Sequence, residues 1–563
     1  MTHDSNISDA PETPDTGGRE FRVPNGPLHA IFDDAAARWP HRPCLDFLGR
    51  TMNYRAVARR VDRAAKGLMS LGVGRGVNVG LCLPNSPYYV IGYFAILKAG
   101  GTVVNFNPLY SAEQIDFQVR DSKIQIMLTL DLQTVLSKVT QSNVGKIVVC
   151  RFAAALPFVK KGLFSIFKRR EIAAMPKDGR HIAFDALIHN DGVFTPPAID
   201  PRRDLAVIQY TGGTTGAPKG AMLSHYNLRA NTAQVRILLG ALCDGQEKFV
   251  AVIPFFHVYA MTVLMNLGIA TGSQLILLPR FDADQLLKAI SRKKATLIAA
   301  VPTVYAALAG HPRVRNHDFS SLRHCVSGGA PLPLAVKETF EGLTGCPLIE
   351  GYGLSEASPV VSFNPPDGVQ KAGSIGPALA GTDIEVRDLE DPTVVLERGK
   401  KGEIVVRGPQ VMVGYWQNTA ATQQVLDREW LRTGDVGYMD EDGYVFLIDR
   451  LKDIIITGGY KVYPRNIEEV LMRHPEVEEA TVIAIDHPLR GQVPKAFVKV
   501  RPGAAVDEEA LKVFVGEHLT PMERPAEIAF RDELPKTLIG KLSKKELVHE
   551  EKAKNRNPND APE

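Results

Sequence analysis

Residues 210–225 read YTGGTTGAPKGAMLSH and follow a short apolar run, Leu205, Ala206, Val207 and Ile208. The run reads as a buried strand that opens into a loop of small residues. The loop carries Gly212, Gly213, Gly216 and Gly220, the threonines Thr211, Thr214 and Thr215, and one lysine, Lys219. Glycines let backbone N–H groups close around an anion without a Cβ clash. Threonine hydroxyls add donors, and a lysine adds a point charge suited to phosphate. The loop is therefore expected to grip phosphate. It fails the P-loop pattern, which needs Lys directly after the last glycine and then Ser or Thr. Here Lys219 stands three places after Gly216, with Pro218 between them. This spacing predicts a nucleotide triphosphate held in a different geometry, against the plainer alternative of a glycine-rich surface turn.

On either side of the loop, apolar runs alternate with helix-like stretches. Strands are expected at 77–83, 102–106 and 124–130, with a buried helix at 88–98 ending on Gly100 and Gly101. Further strands are expected at 249–254, leading to Phe255, Phe256 and His257, at 296–301 before Pro302, and at 324–327 before Gly328 and Gly329. Such alternation predicts an α/β fold with largely parallel sheets, whose ligands gather at the carboxyl ends of the strands. Between about 373 and 449 the strands become shorter and richer in Gly and Val, which predicts a β-rich subdomain. The charged cluster Asp449-Arg450-Leu451-Lys452-Asp453 marks a boundary. Beyond it a smaller α+β unit is expected: a turn at Gly458-Gly459-Tyr460-Lys461, a helix at 467–474, strands at 479–485 and 496–500, and a helix at 508–518. Gly540-Lys541 falls on a loop before a final basic helix, where an unaided reading makes Lys541 a solvated lysine.

At 563 residues the chain exceeds one compact core, so two or more domains are expected. Apolar content of 45% and charged content of 23% are ordinary for a globular protein, and a net charge of +3 gives no reason to invoke nucleic acid. The six cysteines are scattered without a CxxC pair, which indicates neither a zinc cluster nor a disulfide framework and suits a reducing compartment. The acidic N-terminal segment lacks the apolar core of a signal peptide. The most apolar window, 258–278, is interrupted by Asn266, Gly268, Gly272, Ser273 and Gln274, and reads as a buried helix, a turn and a strand.

Three further stretches invite chemistry. GYGLSEASP, at 351–359, puts Tyr352 between two glycines, where it can lie flat against a base, and Glu356 where a carboxylate beside a phosphate site can hold Mg²⁺. TGDVG, at 433–437, is read as a tight turn whose Asp435 can accept both hydroxyls of a ribose. PFVKKGLFSIFKRR, at 157–170, flanks Leu163, Phe164, Ile166 and Phe167 with five basic residues. It reads either as an interfacial patch for an anionic membrane or as an insertion with solvated charges in which Gly162 weakens any helix.

YTGGTTGAPKG, GYGLSE, TGD followed by DRLKD, and the late GK together resemble the adenylate-forming superfamily of acyl-CoA synthetases, luciferases and peptide-synthetase adenylation domains. The resemblance spans about residues 25–547, in the family's order. IPFFHVYAM, VSGGAPLP, GSIGPALAGT, GPQVMVGYW, WLRTGDVGYMDEDGY and IDRLKDIIITGGYKVYPRNIE look like bacterial long-chain fatty-acid–CoA ligases. The resemblance implies a tail at 1–20, a large domain at 21–450, a hinge at 451–452, a small mobile domain at 453–548 and a tail at 549–563. It also implies two half-reactions: a fatty acid and MgATP give acyl-AMP and pyrophosphate, and coenzyme A then displaces AMP. By position, Thr211, Gly212, Gly213, Thr214, Thr215, Gly216 and Lys219 would hold the β- and γ-phosphates, with Thr214 and Glu356 at Mg²⁺. Glu350, Gly351 and Tyr352 would line the adenine site, Ser355 the α-phosphate, and Asp435 with Arg450 the ribose. Lys541 would reach the carboxylate and α-phosphate, and Lys452 would be the hinge residue. His257, Gly458, Gly459 and Lys461 would border the coenzyme A channel.

Three rivals stand beside this expectation: the same chemistry on a medium-chain or aryl carboxylate, an acyl-AMP ligase that loads a carrier protein, and a noncatalytic acyl- or nucleotide-binding protein. Val258 after His257 disfavours an amino acid, because relatives that activate amino acids carry an aspartate there. No carrier-protein segment follows Leu547, which disfavours a peptide-synthetase module. The expected setting is cytoplasmic, with peripheral contact to the inner face of a membrane and a homodimer as the candidate associations.

Overall fold

The computed structural model describes residues 21–211, 218–536 and 542–554. The run that opens the decisive stretch forms strand Leu205–Thr211, buried from Ala206 to Tyr210. It lies in an eight-stranded sheet in the order Gly414–Tyr415, Lys219–Ser224, Leu205–Thr211, Thr102–Asn105, Asn78–Cys82, Ile126–Leu130, Lys146–Cys150 and His181–Ala183. Leu205–Thr211 runs parallel to Thr102–Asn105, and the sheet stays parallel from there to His181–Ala183. The side of Leu205–Thr211 that faces the sheet's other end was not legible. Lys219 and Gly220, expected in the loop, begin strand Lys219–Ser224, which pairs antiparallel with it, and Gly414–Tyr415 pairs antiparallel with that strand. Gly220 is required by this pairing, since a Cβ there would lie 2.6 Å from Ile208 Cγ2.

A second eight-stranded sheet has the order Val360–Phe363, Leu348–Gly353, His324–Gly328, Leu297–Ala300, Lys248–Ala251, Gln274–Leu277, Pro43–Phe47 and Arg50–Asn53. Its inner strands are parallel, and an antiparallel strand closes each edge. The carboxyl ends of Lys248–Ala251, Leu297–Ala300 and His324–Gly328 thus share one side, as the fold class requires. The loop after Lys248–Ala251 is tied to the first sheet and to helix Pro87–Lys98 by polar contacts: Gln209 Nε2 donates to the Phe256 carbonyl at 3.0 Å, and the Tyr89 hydroxyl to that of Phe255 at 2.8 Å. The apolar window 258–278 is a π-helical stretch Ala260–Asn266, a turn of α-helix Leu267–Ala270 and strand Gln274–Leu277. Among the described residues no helix is long and apolar enough to cross a membrane.

The β-rich region is a six-stranded antiparallel sheet containing Asp383–Arg387, Gly402–Arg407, Trp430–Met439 and Val445–Arg450. Strand Val445–Arg450 runs through Asp449 and Arg450 into a 3₁₀ turn, Leu451–Asp453, so the charged cluster begins inside a strand. The C-terminal α+β unit carries a five-stranded sheet dominated by the hairpin Val477–His487 and Gly491–Val500. Helices Pro464–Arg473 and Glu508–His518 cover it, with Ile467, Leu471, Leu511 and Val515 buried. The last helix, Lys544–Lys554, continues past its expected end near Leu547 because buried Glu551 accepts Lys495 at 2.9 Å. The segment at 158–167 is helical despite Gly162.

Candidate active site

Two polar clusters are built on the sheets. The first starts from Lys219, whose backbone is fixed opposite Thr211 by the strand register. Its Nζ lies 5.2 Å from the centre of the Tyr415 ring, within cation–π range. The Tyr415 hydroxyl donates to Glu356 Oε1 at 2.8 Å. Tyr415 reaches this place because Gly414–Tyr415 is hydrogen-bonded to the strand that carries Lys219. Glu356 sits on the 3₁₀ turn Ser355–Ala357, and its carbonyl accepts the Met412 N–H at 2.8 Å. Burial, and then the Glu356 carboxylate, push the Tyr415 phenol well above its ordinary value. It therefore stays a donor at neutral pH.

The second cluster is centred on Asp435, which is only 7% exposed as a side chain. The Tyr352 hydroxyl donates to Oδ2 at 2.5 Å, and Arg450 Nε forms an ion pair with Oδ1 at 3.0 Å. The residue is not on a tight turn, as its TGD context predicted. From Arg432 to Val436 strand Trp430–Met439 advances four positions, while its partner advances two, from Val405 to Glu403. Residues 433–435 therefore form a bulge, a feature that re-aims side chains. Gly434 has φ +70°, and its N–H donates to the buried Glu403 carboxylate at 3.1 Å. The same carboxylate holds Arg432 at 2.7 Å, while Thr433 Oγ1 accepts the Asp435 N–H at 3.1 Å. A carboxylate so engaged still has free acceptor positions, enough for a pair of neighbouring hydroxyls.

Tyr352 lies on strand Leu348–Gly353, and its flanking glycines serve packing against the neighbouring strand. A Cβ on Gly351 would meet the Phe363 ring at 2.3 Å, and one on Gly353 the Pro359 carbonyl oxygen at 2.1 Å. Glu350 accepts the Leu332 N–H at 3.0 Å, and burial raises its carboxyl to about 7. Asp435 holds Arg450 above its ordinary value, whereas burial and then Arg450 lower the Lys452 ammonium.

The model of the AMP-binding enzyme matches residues 32–416, and that of its C-terminal domain matches 466–541. The chain belongs to the AMP-binding enzyme family. It is 41% identical to a long-chain-fatty-acid–CoA ligase of Bacillus subtilis, covering 96% of this chain and 97% of the relative. It is 37% identical to a long-chain-fatty-acid–CoA ligase of Escherichia coli O157:H7, covering 93% and 94%. The structure of ATP-bound MatB from Rhodopseudomonas palustris superposes with a TM-score of 0.80 at 27% identity, over 94% of this chain and all of that one.

In this AMP-binding enzyme the structure places Thr211, Lys219 and Glu356 in one cluster and Tyr352, Asp435 and Arg450 in the other. Lys452 follows directly in Leu451–Asp453. His257 caps the turn after Lys248–Ala251, with its Nδ1 accepting the Tyr259 N–H at 3.3 Å. Gly458 and Gly459 form the tip of hairpin Ile455–Thr457 and Tyr460–Val462, with φ +54° and +86° and open space where a Cβ would stand. Lys461 there pairs with Glu390 at 3.2 Å. Gly212, Gly213, Thr214, Thr215, Gly216 and Lys541 lie outside the described residues. Sequence reasoning missed Tyr415 and Thr433. Tyr415 stands in the GPQVMVGYW match, but no spacing rule joins it to Glu356 or Lys219.

Proposed function

We propose that this AMP-binding enzyme is a long-chain fatty-acid–CoA ligase that forms acyl-AMP from a fatty acid and ATP and then transfers the acyl group to coenzyme A. The observation that carries it is the pair of clusters Lys219–Tyr415–Glu356 and Tyr352–Asp435–Arg450, one suited to phosphate and the other to a nucleoside. The acyl class is supported by the two bacterial relatives that bear this name over nearly the whole chain.

In the first half-reaction a carboxylate oxygen of the fatty acid attacks the α-phosphorus of ATP, the bond to the β-phosphate oxygen breaks, and pyrophosphate leaves. Both reactants are anions, so cationic and hydrogen-bonding groups must stand where charge develops. Thr211, Gly212, Gly213, Thr214, Thr215, Gly216 and Lys219 grip the departing phosphates. Ser355 faces the α-phosphate, Glu350, Gly351 and Tyr352 the adenine, and Asp435 with Arg450 the ribose. Lys541 neutralises the carboxylate and the α-phosphate as they meet. A single carboxylate, Glu356, fits Mg²⁺, which takes one or two carboxylates and completes its shell with water and substrate phosphate. Glu356 and Thr214 would hold the ion, which would screen the phosphate charge. In the second half-reaction the coenzyme A sulfur attacks the acyl carbon, AMP leaves, and the thiol proton is lost. His257, Gly458, Gly459 and Lys461 border the thiol's path. The two domains, 21–450 and 453–548, reorient about 451–452 between the two steps, a gating role for one mobile domain. Peripheral association with a membrane is part of the same proposal, since a long acyl chain resides in lipid.

The test is to supply ATP, Mg²⁺, coenzyme A and saturated acids of graded length, and to follow AMP and thioester. Peak turnover on long chains with AMP as product is expected; ADP and phosphate would refute the mechanism. Lys541→Ala is expected to lower adenylation by orders of magnitude while leaving thioester formation from supplied acyl-AMP near its parent rate. An equal fall in both halves would refute that role.

A further inference from the structure

The helix Phe158–Phe167 presents its apolar residues outward. Phe158 is 91% exposed, Val159 71%, Leu163 52%, Ile166 72% and Phe167 76%. Val159, Leu163, Ile166 and Phe167 follow the spacing i, i+4, i+7, i+8, which is one continuous helical face. Such a face ordinarily turns to a core. Here the core side is taken by Phe164, whose ring packs 5.0 Å from that of Phe152. Lys160 fixes the helix from its flank by donating to the Leu48 carbonyl at 2.8 Å. The helix is thus anchored in an orientation that leaves its apolar face unpartnered among the described residues.

The charge within residues 157–170 is of one sign. Residues 157–170 contain Lys160, Lys161, Lys168, Arg169 and Arg170 and no acid, and the first acid after them, Glu171, is neutralised by Lys168 at 2.5 Å. Ile166, Phe167, Arg169 and Arg170 line a shallow recess of about 630 Å³, where apolar and guanidinium groups stand side by side. An apolar strip bordered by cations is complementary to one environment above others: acyl chains beneath a layer of anionic headgroups.

We propose that Phe158–Phe167 is a docking surface for an anionic lipid bilayer, on which the helix lies flat. Val159, Leu163, Ile166 and Phe167 enter the acyl boundary, while Lys161, Arg169 and Arg170 meet the headgroup phosphates. The proposal gives a location to the peripheral association proposed above and rests on that part of it. One short helix binds reversibly, and the charged rim makes the contact weaken with salt.

Sedimentation of the full chain with vesicles tests it. Phosphatidylcholine vesicles are compared with an equal mixture of phosphatidylcholine and phosphatidylglycerol. Binding to the mixed vesicles and little to the neutral ones is expected. Ile166→Ser/Phe167→Ser should lower that binding about tenfold or more, the loss that follows from keeping two large apolar side chains in water. Lys161→Gln/Arg169→Gln/Arg170→Gln should remove most of the preference for the anionic vesicles and most of the salt dependence. Both variants change exposed side chains, so an unaltered thermal unfolding curve is expected and confirms that they are folded. Binding by either variant equal to the parent overturns the proposal. So does a dimer in sedimentation velocity that Ile166→Ser/Phe167→Ser dissolves while vesicles are ignored, since the face then serves a second copy. AMP release is measured on the same preparations. AMP formed without vesicle binding removes the docking surface alone, and vesicle binding without AMP removes the ligase proposal alone.

Discussion

Replacing Asp435 with Asn keeps the size of the side chain and removes its charge, which isolates what the carboxylate contributes. In the structure the cost falls on two bonds. The Tyr352 hydroxyl bond at 2.5 Å becomes neutral, and because charge-assisted bonds are roughly twice as strong as neutral ones this costs about 1 kcal/mol. The Arg450 pair is lost, but Arg450 is 51% exposed and solvent screens it, so about 0.5 kcal/mol is expected. Unfolding in urea should therefore show a loss of about 1–2 kcal/mol. With nucleotide bound, the same carboxylate would accept two ribose hydroxyls. Weakening both by about 1–1.5 kcal/mol each predicts a KM for ATP raised about 30- to 150-fold, with kcat much less affected. The discriminating assay uses 2′-deoxy-ATP. If Asp435 reads the ribose, the penalty for omitting the 2′-hydroxyl should be large in the parent and should shrink in Asp435→Asn. An equal penalty in both proteins would show that Asp435 does not touch that hydroxyl and would refute the ribose assignment.

Other outcomes follow from the same geometry. Tyr415→Phe keeps the ring beside Lys219 and removes the donor to Glu356, so kcat/KM for MgATP should fall about 10- to 100-fold, with a raised Mg²⁺ requirement in steady-state assays; parent kinetics would refute the link. Glu350 is a raised carboxyl, so the folded chain binds its proton more tightly than the unfolded one. The stability it confers is full below 4.5 and is lost as pH rises to about 7, by up to about 3 kcal/mol, and Glu350→Gln should flatten that part of the stability-versus-pH curve in denaturant titrations. Gly351→Ala places a methyl group 2.3 Å from the Phe363 ring and should lower stability by about 1–3 kcal/mol, seen as a reduced Tm; an unchanged Tm would show that the strands can separate freely.

The parallel sheets were legible because their strands are continuous apolar runs with helical stretches between them. Pro87–Lys98 and Thr102–Asn105 fall within a residue of where the pattern puts them. Three features were not legible, for different reasons. Lys219–Ser224 (KGAMLS) carries no clear strand period, and only its pairing with Leu205–Thr211 makes it a strand. The bulge at 433–435 is imposed by Glu403, a residue about thirty positions away, on a triplet whose local signal is a turn. Tyr415 acquires its place from a two-residue strand, Gly414–Tyr415, too short to carry any period. In the glycine-flanked motif the glycines answer to Phe363 and Pro359, and Tyr352 is positioned by its bond to Asp435, which no local spacing announces.

Asp449 has a consequence of its own. One oxygen accepts the N–H of Arg450 at 2.7 Å, at the end of the strand whose last side chain pairs with Asp435. The other accepts the N–H of Arg465 at 2.8 Å in the first turn of Pro464–Arg473, while Arg465 Nη1 donates to the Leu447 carbonyl at 3.1 Å. Any rotation of the C-terminal unit about 451–452 that swings this helix away must first release both Arg465 bonds. If the unit turns there as proposed, the pivot has a detent: this orientation is a resting station with a threshold for departure, and the lever that sets the threshold is Asp449, next to Arg450, the partner of Asp435.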